Sequence, residues 1–195
     1  TGLESNSSNP TLTGSFDTSG AAYDVTLSAD GNTAFVADGA SGLQIIDVSN
    51  PANPTLTGSF DTSGNSSEVT LSADGKTAFV ADLESGLQII DVSNPASPTL
   101  TGTFDTSEFC FGVTLSADGK AAFVADGSDG MQIIDVSNPA SPTLTGTFDT
   151  SGFAHSVTLS ADGNTAFVAD FESGLQIIDL GYQQHFSSNA DTASI

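Results

Sequence analysis

Apolar residues along this 195-residue chain come in short runs separated by polar, glycine-bearing breaks, and the runs return at a fixed spacing. Ala34-Phe-Val-Ala-Asp38 is followed, after a break, by Gly42-Leu-Gln-Ile-Ile-Asp-Val-Ser-Asn-Pro51. The pattern returns at Ala78–Asp82 with Gly86–Pro95 and at Ala122–Asp126 with Gly130–Pro139. A fourth copy, Ala166–Asp170 with Gly174–Asp179, breaks off at Leu180. Runs this short, rich in Phe, Val and Ile and bounded by Gly, Asn and Pro, predict strands. Leu/Glu/Lys runs at helical spacing are missing, so helix is not expected.

Pro10, Pro54, Pro98 and Pro142 open units of 44 residues without insertions or deletions. Each unit resolves into four strands, in the first copy Thr11–Asp17, Asp24–Ser28, Thr33–Asp38 and Leu43–Val48. Ser28-Ala-Asp-Gly-Asn32 makes a tight hairpin turn, because glycine accepts the positive φ that such turns need. Asn50-Pro51 forces an extended connection that cannot join a ladder. The middle two strands are apolar on both faces (Phe35 with Val36, Ile45 with Ile46), which suits sheets covered on both sides. Thr11–Asp17 has one polar face and suits an outer strand. All-strand units of 40–50 residues predict a propeller or a solenoid.

Gly-Leu-Gln-Ile-Ile-Asp-Val-Ser-Asn-Pro, preceded by Ala-Phe-Val-Ala-Asp, resembles the LVIVD repeat, a β-propeller blade motif, from about Pro10 to Leu180. The resemblance implies an all-β, four-bladed antiparallel β-propeller in a secreted or cell-surface protein. The expected organisation is an N-terminal arm over 1–9, a propeller over 10–180 (repeats 10–53, 54–97, 98–141 and 142–180) and a C-terminal tail over 181–195. The chain opens on an outer strand with no predecessor and ends on a third strand with no successor. An N-terminal velcro strand, Thr11–Asp17, is therefore expected to pair with Gly174–Leu180 and complete the last blade. The alternative is donation of that strand to a second chain, giving an eight-bladed dimeric ring or an open filament.

Charge narrows the partners. The formal net charge is −22, with Lys76 and Lys120 as the only cations besides 24 acidic residues. Such a chain repels nucleic acid and anionic lipid surfaces. No apolar run is long enough for a spanning helix. The acidity fits either divalent-cation binding or solubility combined with Asp used in turns. Cys110 is the single cysteine and is expected to be buried and inert.

Comparing the four copies locates the candidate site. The differences concentrate in two loops of each unit, expected on one face: Tyr23, Asp24, Glu68, Glu84, Phe109, Phe111, Asp129, His155, Phe171 and Glu172. Loops on a rigid frame commonly carry binding residues. Phe109, Phe111, Phe153 and Phe171 either cap the mouth of the ring or form a contact patch. Asp38, Asp82, Asp126 and Asp170 are candidate Ca²⁺ ligands on a shared axis, or acceptors for backbone N–H groups at the turns. His155 has no partner at catalytic spacing, and no nucleophile or phosphate-loop motif is present, so catalysis is not expected and no cofactor is required. The leading expectation is a non-catalytic extracellular or cell-surface scaffold that self-associates through its termini or engages other surface proteins. The second is a Ca²⁺-dependent ligand- or glycan-binding module on the variable face.

Overall fold

The structure, a computed structural model, describes residues 9–181. Almost all of the expected arm and tail therefore lies outside the described residues. Among the described residues fifteen strands form four antiparallel sheets in chain order. Sheet 1 holds β1 (Asp24–Leu27), β2 (Thr33–Ala37), β3 (Leu43–Asp47) and β4 (Thr55–Phe60). Sheet 2 holds β5 (Glu68–Leu71), β6 (Thr77–Ala81), β7 (Leu87–Asp91) and β8 (Thr99–Phe104). Sheet 3 holds β9 (Gly112–Leu115), β10 (Ala121–Ala125), β11 (Met131–Asp135) and β12 (Thr143–Phe148). Sheet 4 has three strands: β13 (Ala154–Leu159), β14 (Thr165–Asp170) and β15 (Gly174–Asp179).

Repeated sequence gives repeated local chemistry. In the first hairpin the Ser28 hydroxyl donates to Asp30 Oδ1 at 2.6 Å, and the Asn32 amide donates to the same oxygen at 3.1 Å. Gly31 takes φ +72° there. Asp74, Asp118 and Asp162 build the same turn. At the other hairpin end Asp47, Asp91 and Asp135 accept the amides of Ser49, Ser93 and Ser137. Much of the acidity is thus turn construction, and these hydrogen bonds hold the carboxyls below the usual range.

Consecutive sheets pack face to face through one set of residues used three times. Phe35, Ala37, Leu43 and Ile45 of sheet 1 meet Val69, Ala78, Val80 and Ile90 of sheet 2. Phe79, Ala81, Leu87 and Ile89 meet Val113, Ala122, Val124 and Ile134 in the same way. Phe123, Ala125 and Met131 meet Val157, Ala166, Val168 and Ile178. The first strands of the sheets line up in a row, β1 on β5, β5 on β9 and β9 on β13. The two-sided apolar strands of the sequence are explained by this stacking, since a middle sheet has both faces covered.

Among the described residues the row does not close. The expected pairing of segment 11–17 with the last sheet is not formed there: β15 has only β14 beside it, and 11–17 carries no strand. The reason lies in where 11–17 is held. A Cβ at Gly14 would strike the backbone of Pro51 and Ala52, as one at Gly58 would strike Pro95 and one at Gly102 Pro139. Segment 11–17 therefore sits against sheet 1 as the outer strand of a preceding sheet would, at the far end of the array from β15. Four sheets are present, but the closed four-bladed ring expected from the repeat number is not.

Candidate functional site

The two variable loops of each repeat do emerge on one rim, and Asp at the end of the second strand ties them together. The Thr18 hydroxyl donates to Asp38 Oδ1 at 2.6 Å and the Gly20 amide to Asp38 Oδ2 at 2.8 Å. Asp82 accepts from the hydroxyls of Thr62 (2.5 Å) and Ser66 (3.0 Å). Asp126 accepts from the Gln132 amide at 2.5 Å, and Asp170 from the backbone amides of Phe153 and Ser173 at 3.0 and 2.9 Å. All four are buried. Burial pushes the Asp82 carboxyl up to about 6, against the pull of its hydroxyl partners, and raises that of Asp126 as well. Each aspartate serves the latch of its own sheet. Among the described residues no three His, Cys, Asp or Glu side chains gather as a metal site requires, so the four are not brought together on an axis.

Neighbouring sheets are also stitched along this rim. Gly39 exchanges backbone hydrogen bonds with Ser66 at 3.1 Å, and Leu83 does so with Cys110 at 3.1 Å. Gly127 pairs with Ala154 in the same manner. Cys110 is fully buried beneath this stitch, and desolvation raises its thiol far out of the reactive range. Leu83 adopts φ +34° to make the turn, in a position where the first and third repeats have glycine.

The rim aromatics form one cluster at sheets 3 and 4. The Phe111 ring centroid is 6.1 Å from Phe109, 5.1 Å from Phe153 and 5.1 Å from His155, on which it stacks. Phe171 lies 6.2 Å from Phe153 and 5.2 Å from His155. Phe171 is 72% exposed, so the cluster is a surface patch and not a plug. Tyr23 stands at the other end of the array and is also exposed. Glu84, Asp129 and Glu172 are exposed in separate turns.

Asp24 and Glu68 lie in register on adjacent first strands. The Val69 amide donates to Asp24 Oδ2 at 3.0 Å. Burial, with the Asp24 charge beside it, pushes the Glu68 carboxyl up to about 7. The next position in the row is Gly112, where a Cβ would meet Glu68 Oε2 at 2.8 Å. Gly112 was invisible as a site residue in the sequence, since only the register shows that it makes room for the acid of the neighbouring strand.

The residues that sequence reasoning missed stand at the two ends. Val25 on β1 is 59% exposed, whereas its repeat equivalent Val69 is 3% exposed; Leu27 is 55% exposed, whereas its equivalent Leu71 is partly buried. Leu175 and Ile177 on β15 are 63% and 65% exposed, whereas Leu43, Ile45, Leu87 and Ile89 are at 0%. Ala34, Val36 and Ile46 of sheet 1 form a small buried cluster of their own, apart from the three clusters between sheets. The repeats are too alike for composition to mark which copy is left uncovered. The signal available was the phase of the repeat, an outer strand at the start and a third strand at the end.

Four stacked antiparallel sheets with a shared row of first strands define a repeat protein of the β-propeller type. The LVIVD repeat family matches this sequence four times, over residues 19–62, 63–106, 113–150 and 151–189, and the chain belongs to that family. No curated protein matches it significantly. Among solved structures it is similar to the β-propeller domain of Cps50 (Swd1) from Myceliophteria thermophila, at 15% identity and a TM-score of 0.66. That match covers 78% of this chain and 51% of the other. A candidate 6-phosphogluconolactonase from Bacteroides uniformis is similar at 22% identity and a TM-score of 0.66, covering 80% of this chain and 49% of that one. The chain thus spans about half the length of the solved structures it matches, and at these identities the likeness speaks for the fold alone.

Proposed function

We propose that the protein is a non-catalytic interaction scaffold of the extracellular space or cell surface, and that it self-associates through its ends. The observation that carries this reading is exposed apolar surface at both ends of the sheet array. Leu175 and Ile177 stand open at the tail, and Val25 and Leu27 at the head, where Ala34, Val36 and Ile46 of the same sheet are buried. Exposed contiguous apolar surface on a folded chain favours association. A chain of net charge −22 resists it through long-range repulsion, which salt screens. Self-association is therefore favoured by salt. The aromatic rim of sheets 3 and 4 gives the scaffold a contact surface for other proteins.

A calcium-dependent module would need carboxylates free to converge. Asp38, Asp82, Asp126 and Asp170 are instead committed to the latches, which is why the reading rests on the ends and not on them. Sedimentation equilibrium of the 195-residue chain tests it. The apparent mass rises with protein concentration and with salt, and Ile177→Asp abolishes the rise without unfolding the protein. A monomer at every concentration and salt level overturns the reading.

A further inference from the structure

The two open ends fit one another. Sheet 4 presents Phe167, Ala169, Leu175 and Ile177, the repeat equivalents of Phe35, Ala37, Leu43 and Ile45. At the equivalents of Val69, Ala78, Val80 and Ile90, sheet 1 has Val25, which is exposed, and Ala34, Val36 and Ile46, which are buried, with Phe16 of segment 11–17 beside Val36 and Ile46. Those two sets are the halves of the interface between sheets 1 and 2. The backbone is complementary as well. Among the described residues β15 has no outer strand, and segment 11–17 is placed as an outer strand without its sheet.

From this we infer that the tail of one copy docks on the head of a second copy, and that two copies close head to tail into one ring of eight sheets. The inference rests on the self-association proposed above and names the partner surface and the register. Within sheet 1, Leu43 pairs with Phe60, Gln44 with Ser59 and Ile45 with Gly58; a bulge then brings Ile46 opposite Leu56. Moved by one repeat, this register sets Leu175 opposite Phe16 of the second copy, Gln176 opposite Ser15, Ile177 opposite Gly14 and Ile178 opposite Leu12. Leu12 is 86% exposed, while its equivalents Leu56, Leu100 and Leu144 are 49%, 47% and 48% exposed. The lone outer strand is short of the neighbour that its copies have.

The rim continues the match. Gly39, Leu83 and Gly127 each bridge to the loop that precedes the next sheet. Phe171 holds that position in the fourth repeat, and its counterpart across the junction is Ala22 of the second copy. His155 stacks on Phe111 inside the chain; across the junction the equivalent neighbour of His155 is the exposed Tyr23. The head-to-tail contact is heterologous, so it ends in a ring only if the rotation closes. One chain covers 51% and 49% of the two solved chains it is similar to, a proportion in keeping with two copies to a ring.

Cysteine pairing tests the register. Ser15→Cys and Gln176→Cys are prepared as separate single variants, mixed and mildly oxidised; the native Cys110 is buried and does not compete. The mixture gives a covalent two-chain product and neither single variant alone does. A Gln44→Cys/Ser59→Cys chain serves as the geometric control and forms its disulfide internally. If the double variant Ser15→Cys/Gln176→Cys instead closes on itself, and the mixture stays uncrosslinked, the ring closes within one chain and the inference is overturned. If the chains associate in sedimentation but the mixture does not crosslink, this register is wrong while self-association stands. Strictly monomeric chains bring down both.

Discussion

Leu87→Ala lowers the unfolding free energy by about 2–5 kcal/mol, the range for emptying a buried leucine site, whereas Leu175→Ala in dilute monomer changes it by less than about 0.5 kcal/mol. The two leucines occupy the same position in the second and fourth repeats, each in the third strand of its sheet. Leu87 is 0% exposed between sheets 2 and 3, and Leu175 is 63% exposed at the tail. Truncating Leu87 removes its transfer free energy and leaves a cavity that its neighbours Ala122 and Val124 are too constrained to fill. Truncating Leu175 removes surface that water already wets. Denaturant unfolding of both variants, at concentrations low enough to keep wild type monomeric, makes the comparison. Equal penalties at the two positions would mean that Leu175 is covered within the single chain and that the array is closed. At assembling concentrations the prediction reverses for Leu175→Ala, which then weakens association.

Stability of the protein declines as the pH rises from about 4.5 to about 7, and Glu68→Gln removes a large share of that decline. The folded Glu68 carboxyl is raised from its ordinary 4.5 to about 7. Between those values the folded chain holds a proton that the unfolded chain has released, so raising the pH favours unfolding. Its contribution is complete below the unfolded value and is lost as the pH passes through the folded one, on the order of 3 kcal/mol in all. Asp82, raised to about 6, and Asp126, also raised, act in the same direction. The turn aspartates oppose them at lower pH. Asp30, Asp74, Asp118 and Asp162 are held below 3.8 by hydrogen bonds, so their contribution is present above that value and is lost on further acidification. The two limbs place the stability optimum near pH 4–5. Glutamine mimics the protonated acid, keeps an acceptor for the Val113 amide and escapes repulsion from Asp24. The variant therefore matches wild type near pH 4.5 and exceeds it near neutrality. Wild-type stability that stays flat or climbs between about pH 5 and 7 would contradict the assignment.

The strands, the hairpin turns and the doubly apolar middle strands were legible in the sequence because each is set by local pattern. Phe35 beside Val36 and Ile45 beside Ile46 require cover on both faces, and the 44-residue phase places every later strand. The common rim of the two variable loops was legible for the same reason, since hairpin connectivity fixes it. Ring closure was not. Thr11–Asp17 has the composition of an outer strand, and composition cannot say which sheet receives it; Gly14 against Pro51 decides that it lies at the head. The candidate site was legible only in part. Phe109, Phe111, His155 and Phe171 proved to be neighbours because their loops follow one another around the rim. Asp38, Asp82, Asp126 and Asp170 aligned in the sequence without converging in space, since a repeat copies each residue into its own sheet. The importance of Gly112, Leu175 and Ile177 comes from what stands beside them or fails to, which no single repeat encodes.

Imaging the assembled protein by electron microscopy tests the central claim, that one chain is half of a ring. End-on class averages are expected to show a closed ring of eight sheets made by two chains. A closed ring of four sheets from a single chain, or open arcs that never join at any concentration, would contradict it.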